Sequence, residues 1–126
     1  MEYGLKQRSA AAEGDTVLPD VSATYDPATD IILVLLGHRI STEVPPADPG
    51  APLFLFECDE GERYVGFAVR PAMPFCVRHH VVHNGAVLLC ELIDKIAMAF
   101  PAEKDACDVV QDFLLAHGIL RIVMGG

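Results

Sequence analysis

The stretch that most constrains the fold of this chain is Ile31-Ile32-Leu33-Val34-Leu35-Leu36. Six consecutive apolar side chains fall far short of a membrane span, which needs about 18 or more. Asp26-Pro27-Ala28-Thr29-Asp30 precedes the run and Gly37 follows it. Proline presets φ and Asp side chains bond nearby backbone N–H groups, so residues 26–30 are turn chemistry. Short, β-branched and bounded by turn signals, the run predicts a strand buried on both faces. Such a strand needs helices on one side and a second layer or a partner on the other. Val21-Ser22-Ala23-Thr24-Tyr25 stands just before the turn and can enter the same sheet.

The remaining segments follow from this start. Residues 45–52 hold four prolines in eight positions, which excludes helix and central strand and predicts a stiff loop. Leu53-Phe54-Leu55-Phe56-Glu57 reads as a strand, Cys58-Asp59-Glu60-Gly61-Glu62 as a turn, and residues 63–70 as the return strand. Pro71 and Pro74 break it, and Phe75 to Val82 reads as a fourth strand. Asn84-Gly85 is a hairpin signal between apolar runs. The residues after it have helical spacing, however, with Leu88, Leu92, Ile96 and Phe100 on one stripe. That spacing predicts a helix over 86–100, capped near Asn84 and closed by Pro101. A second helix is predicted over 102–116, with Glu103, Asp105 and Asp108 at its positive end and His117-Gly118 at its close. Residues 119–124 complete a last strand. The fold class is α+β: an antiparallel sheet of about four or five strands with two C-terminal amphipathic helices. Residues 1–20, small and polar, read as a flexible N-terminal tail, and 21–126 as a single domain.

Composition narrows the function. The chain has 126 residues, enough for one core that hides about two thirds of its unfolded surface. Apolar residues make up 52%, slightly above the usual share of about 45–50%. Self-association is the simplest use for apolar surface left outside such a core, and the expected state is a homodimer. The formal net charge of −9, from 9 basic and 18 acidic residues, repels phosphate backbones and anionic lipids. Nucleic acid and membrane surfaces are therefore disfavoured as partners, and a protein partner or small ligand is not. The N-terminus lacks the basic start and apolar core of a signal peptide, so a cytoplasmic location is expected. Cys58, Cys76, Cys90 and Cys107 form no C-x-x-C pair and read as reduced thiols, mostly in the core.

Two motifs carry a resemblance. The first is Tyr25-Asp26-Pro27-Ala28-Thr29-Asp30, running into the aliphatic strand; the second is Asp59-Glu60-Gly61-Glu62-Arg63-Tyr64-Val65-Gly66-Phe67-Ala68-Val69. Over residues 25–69 the chain resembles a bacterial family of short β-rich domains of unknown function. Those domains pair a Tyr-Asp-x-x-x-Asp strand with an Asp-x-x-Gly…Val-Gly hairpin. Ala68 stands where the family carries Glu, and the span from Gly61 to Gly66 is one residue longer. The resemblance implies a small antiparallel sheet and supplies no activity.

For chemistry, the densest stretch is Cys76-Val77-Arg78-His79-His80-Val81-Val82-His83, one thiol and three imidazoles within eight residues. These ligands suit zinc or another transition metal. On a strand, alternation separates Cys76 from His79 and His83; on a helix, Cys76, His79, His80 and His83 converge at i, i+3, i+4 and i+7. Neither a G-x-S-x-G elbow nor a phosphate-binding glycine loop occurs, and no cofactor is expected on motif grounds. The acidic residues Glu57, Asp59, Glu60 and Glu62 lack the alternating spacing of a calcium loop. The leading expectation is a non-enzymatic, self-associating binding or interaction module. The alternative is a metal-binding protein or metal-dependent enzyme built on Cys76, His79, His80 and His83.

Overall fold

The structure, a computed structural model, describes residues 21–37, 41–58 and 64–124. The reading of residues 1–20 as a tail, most of the turn read over 58–62, and the start of the return strand at residue 63 lie outside the described residues. The chain is α+β. Strands β1 (Val21–Asp26), β2 (Ile31–Leu36), β3 (Ser41–Val44), β4 (Leu53–Cys58) and β5 (Tyr64–Val69) form one sheet in the order β1-β2-β5-β4-β3. Every neighbouring pair in it is antiparallel. A smaller sheet, β6 (Val82–His83), β7 (Ala86–Leu88) and β8 (Arg121–Val123), accompanies helices α1 (Met73–Arg78), α2 (Leu89–Ala99) and α3 (Lys104–His117). No helix among the described residues is long and apolar enough to cross a membrane.

Pleating divides the main sheet into two unlike faces. Ile32, Val34, Leu53, Leu55, Phe67 and Val69 point to one side and are buried. They meet Leu89, Leu92, Ile93 and Ile96 of α2 and Cys107, Val110 and Leu114 of α3 in one core. Gln111 of α3 ties the two helices, its Nε2 donating to the Cys90 carbonyl at 2.9 Å and to Asp94 Oδ1 at 3.0 Å. Strand β2 is therefore not buried on both faces: Ile32, Val34 and Leu36 are buried while Ile31, Leu33 and Leu35 are half-buried.

Two local expectations change, and one further strand appears. Residues 75–82 are not a strand. Pro74 sits in the first turn of α1, where its missing N–H costs nothing, so it opens a helix instead of ending a strand. The helix predicted over 86–100 begins at Leu89, because Asn84-Gly85 takes its hairpin option. Both residues have positive φ, 54° and 76°, as a type I′ turn demands. Ala86, Val87 and Leu88 then pair with Val123, Ile122 and Arg121, and the Leu89 N–H donates to the Leu120 carbonyl at 2.9 Å. Leu88 leaves the buried stripe and is exposed. Strand β3 lies in a segment with no apolar run, and its backbone pairing with β4 makes it a strand. The end of α3 is as the sequence predicts: Gly118 has φ 64°, and the Gly118 and Ile119 N–H groups cap the Leu115 and Leu114 carbonyls.

Candidate functional site

The segment richest in chemistry, 72–83, is anchored from across the molecule. Within residues 26–30, Asp26 Oδ1 accepts the Ala28 N–H at 2.9 Å and the Asp30 N–H returns to the Asp26 carbonyl at 2.7 Å. This turn leaves Asp30 at φ 58°. Its Oδ1 accepts both the Tyr25 hydroxyl and the Met73 N–H, each at 2.8 Å, and its carbonyl accepts the Ala72 N–H at 3.0 Å. Asp30 thus satisfies an orphan donor at the start of α1 from the β1–β2 turn, distant in sequence. The hydrogen bond to Asp30, then burial and the charge of that carboxylate, holds the Tyr25 phenol above its ordinary range.

Helix α1 ends too early to gather Cys76, His79, His80 and His83. His79 is its C-cap. His80, at φ 57°, donates its N–H to the Val77 carbonyl at 3.2 Å, and the Val81 N–H donates to the Cys76 carbonyl at 3.0 Å. These are the two bonds of a Schellman motif, and Cys76 and Val81, both fully buried, make its apolar contact. The helical spacing that would bring all four residues together stops at residue 78. His79 is half-buried with its ring 4.1 Å from that of Phe75. His83, in β6, is exposed and lies 3.2 Å from Glu91 Oε1. Cys76, His80 and His83 border one shallow depression with Val77 and Val82. Among the described residues no three His, Cys, Asp or Glu side chains stand close enough to hold a metal ion. Burial, and secondarily the charge of Asp30, pushes the Cys76 thiol up to about 11. Cys76 is packed in the hydrophobic core with none of its surface exposed.

The backbone role of His80 is testable. His80→Gly should leave stability unchanged or raise it by up to about 1 kcal/mol, because glycine takes the left-handed C′ position without the Cβ penalty. Thermal unfolding reads this directly. A loss above about 1 kcal/mol would mean that the imidazole itself holds the structure.

Compared with family models, curated proteins and solved structures, the chain matches none.

The second feature of the molecule is the other face of the main sheet. Cross-strand register puts Ile31, Leu33 and Leu35 of β2, Gly66 and Ala68 of β5, and Phe54 and Phe56 of β4 on that side. The five large side chains among these are half-buried. Helices α1, α2 and α3 pack into the core on the opposite face. Polar groups flank the apolar centre. On the β1 side are Ser22, Thr24 and Asp26. Towards β3, Arg70 makes a two-pronged pair with Glu43, at 3.0 and 2.6 Å, and its guanidinium carbon lies 3.8 Å over the Phe54 ring centroid. The hydrogen bonds from Arg70 hold the Glu43 carboxyl below its usual range and raise Arg70 in turn. Three of these residues, Ile31, Leu33 and Leu35, belong to the six-residue apolar run 31–36. Phe54 and Phe56 come from a second run, 53–56, which like that of β2 is apolar without a break and so hides which alternate residues face outward. The remaining thiols divide: Cys58 and Cys107 are buried, whereas Cys90, expected in a packed stripe, is exposed on α2.

Proposed function

We propose that the protein is a non-enzymatic, self-associating interaction module, and that two copies pack through the outer face of the main sheet. The observation that carries this reading is the apolar centre of that face, Leu33, Leu35, Phe54 and Phe56, framed by Ser22, Thr24 and Asp26 on one side and the Arg70–Glu43 pair on the other. An apolar core with a polar rim is the usual anatomy of a protein interface. A sheet face presents the same surface on each copy, so a two-fold contact closes without leaving sites for further growth. A cytoplasmic setting, which keeps free thiols reduced, belongs to the same reading. So does the kinship of residues 25–69 with bacterial short domains, which rests on Tyr25, Asp26, Asp30 and the Val65-Gly66 strand.

Each copy carries a formal charge of −9, so association works against mutual repulsion. Added salt screens that repulsion, and dimerisation should tighten between about 0.05 and 0.5 M salt. Sedimentation equilibrium at micromolar concentration should show a dimer, and Leu33→Glu should turn it into a folded monomer with an unchanged circular dichroism spectrum. A wild-type chain that sediments as a monomer at every salt concentration refutes the proposal. So does a Leu33→Glu chain that remains dimeric.

A further inference from the structure

Glu103 is, among the described residues, the one charged side chain in the buried class, with 1% of its surface exposed. Its charge was legible as a helix-dipole partner at the start of the second helix, and its burial was not. Residues Pro101–Glu103 form a single 3-10 turn that carries the chain from α2 into α3, and this turn aims Glu103 inward. Oε2 accepts the Asp48 N–H at 2.9 Å. Oε1 has no hydrogen-bond partner among the described residues. A buried carboxylate oxygen without a donor is costly, and in most proteins a cation, a donor or a water satisfies it.

Beside Glu103 lies a hollow of about 320 Å³, at the small end of the range of ligand pockets. The proline loop closes one side of it, Leu53, Leu55 and Tyr64 form the sheet side, and Ala106 and Val109 of α3 form the other. Asp105 is the second carboxylate at its edge, and among the described lining residues there is no Lys, Arg or His. The loop is held in place rather than loose. Asp48 Oδ1 accepts the Gly50 N–H at 2.9 Å, the Asp48 carbonyl accepts the Ala51 N–H at 3.0 Å, and prolines flank both. The hollow is therefore preformed, apolar along its walls and negative at one end.

We infer that this hollow is a binding site for a small organic cation, a primary ammonium on a short alkyl stem. The ammonium donates to Glu103 Oε1, and the stem lies against Leu53, Leu55 and Val109. A compact –NH₃⁺ brings three donors to an acceptor that has none among the described residues, and it neutralises the carboxylate. The field of an acidic protein concentrates such cations, whereas a carboxylate ligand meets repulsion from Glu103, Asp105 and the net charge together. The site uses the core side of the sheet and does not depend on self-association.

The test is a titration of the full, ¹⁵N-labelled chain with n-hexylammonium, hexan-1-ol and hexanoate, run on the wild type and on Leu33→Glu. Hexylammonium should give saturable shifts of the Asp48, Tyr64 and Ala106 amides, at least tenfold tighter than hexanol, with no saturation by hexanoate. Glu103→Gln should remove the preference of ammonium over alcohol. Ala106→Met, which fills the hollow from α3 and leaves the Glu103–Asp48 bond alone, should abolish binding. Equal binding of ammonium and alcohol, shifts scattered over the acidic surface, or unchanged binding in Ala106→Met would each overturn the assignment.

Discussion

Gly66→Ala is expected to cost about 3–4 kcal/mol of stability, or to prevent folding altogether, because it forces a side chain into the backbone of a neighbouring strand. Gly66 lies in β5, the middle strand of the main sheet, opposite Leu35 of β2 and Phe56 of β4. The β4–β5 ladder shifts register between Phe56 and Glu57, and a bulge at that point turns the local backbone. A Cβ built on Gly66 overlaps the Val34 carbonyl oxygen and lies 2.9 Å from the Leu35 Cα. Neither atom can yield alone. Val34 is fully buried on the core side, so pushing β2 away opens the core as well as the ladder. Glycine in a strand interior normally weakens it, and this close approach is what the glycine permits. Gly50→Ala is the matched control: its Cβ meets Asp48 Oδ1 at 3.5 Å, an ordinary contact, and the change should stay within about 0.5 kcal/mol. Urea unfolding monitored by circular dichroism gives both numbers. A Gly66→Ala protein within about 1 kcal/mol of wild type would mean that β5 has more freedom than this register allows.

The parts of the fold that were legible in the sequence are those where one physical signal acts without a rival. The runs 31–36 and 53–56 are apolar and short, and they lie in strands β2 and β4. The close of α3 at His117-Gly118 was legible because a left-handed residue ends a helix by itself. Where two signals competed, the outcome depended on partners far along the chain. Asn84-Gly85 makes a hairpin because β8, more than thirty residues later, is there to pair with β7. Pro74 initiates α1 because Asp30, from another part of the chain, accepts the Met73 N–H. Strand β3 has no pattern of its own and exists through its pairing with β4.

The same reasoning explains the candidate sites. Residue type drew attention to Cys76, His79, His80 and His83, but their convergence required a helix running through residue 83. The positive φ of His80 stops it, for the sake of a Schellman end. The outer sheet face was half legible: the run 31–36 announced apolar surface, but an unbroken run gives no sign of which alternate residues face the core. Glu103 was invisible as a buried group, since its position depends on how the turn Pro101–Glu103 meets a loop 55 residues away in sequence. Tyr25, Asp26 and Asp30 serve the fold, through the turn 26–30 and the bonds of Asp30 to the Tyr25 hydroxyl and the Met73 N–H.

Asp30→Ala should be the other severe substitution, costing about 2–4 kcal/mol. It removes the acceptor for the Met73 N–H at the start of α1 and for the Tyr25 hydroxyl. It also leaves an alanine at φ 58°, which lacks the short polar side chain that lets Asp tolerate the left-handed region. Asp30→Asn keeps an oxygen in place and tolerates positive φ, so it should recover more than half of the loss. The Tyr25 phenol offers a readout that general destabilisation would not move. In the folded wild type Asp30 holds it above its ordinary range, first through the hydrogen bond and then, after the effect of burial, through charge. The folded chain therefore keeps the phenolic proton more tightly than the unfolded chain does. The stabilisation linked to that proton is complete below the ordinary phenol range and is lost as pH rises through the raised value. Spectrophotometric titration should show one of the three tyrosines moving down in Asp30→Ala, and the stability gap between variant and wild type should narrow at alkaline pH. If the tyrosine titrations of the two proteins coincide, the Tyr25–Asp30 bond is not what secures the start of α1, and the Met73 N–H and the backbone strain must account for the loss between them.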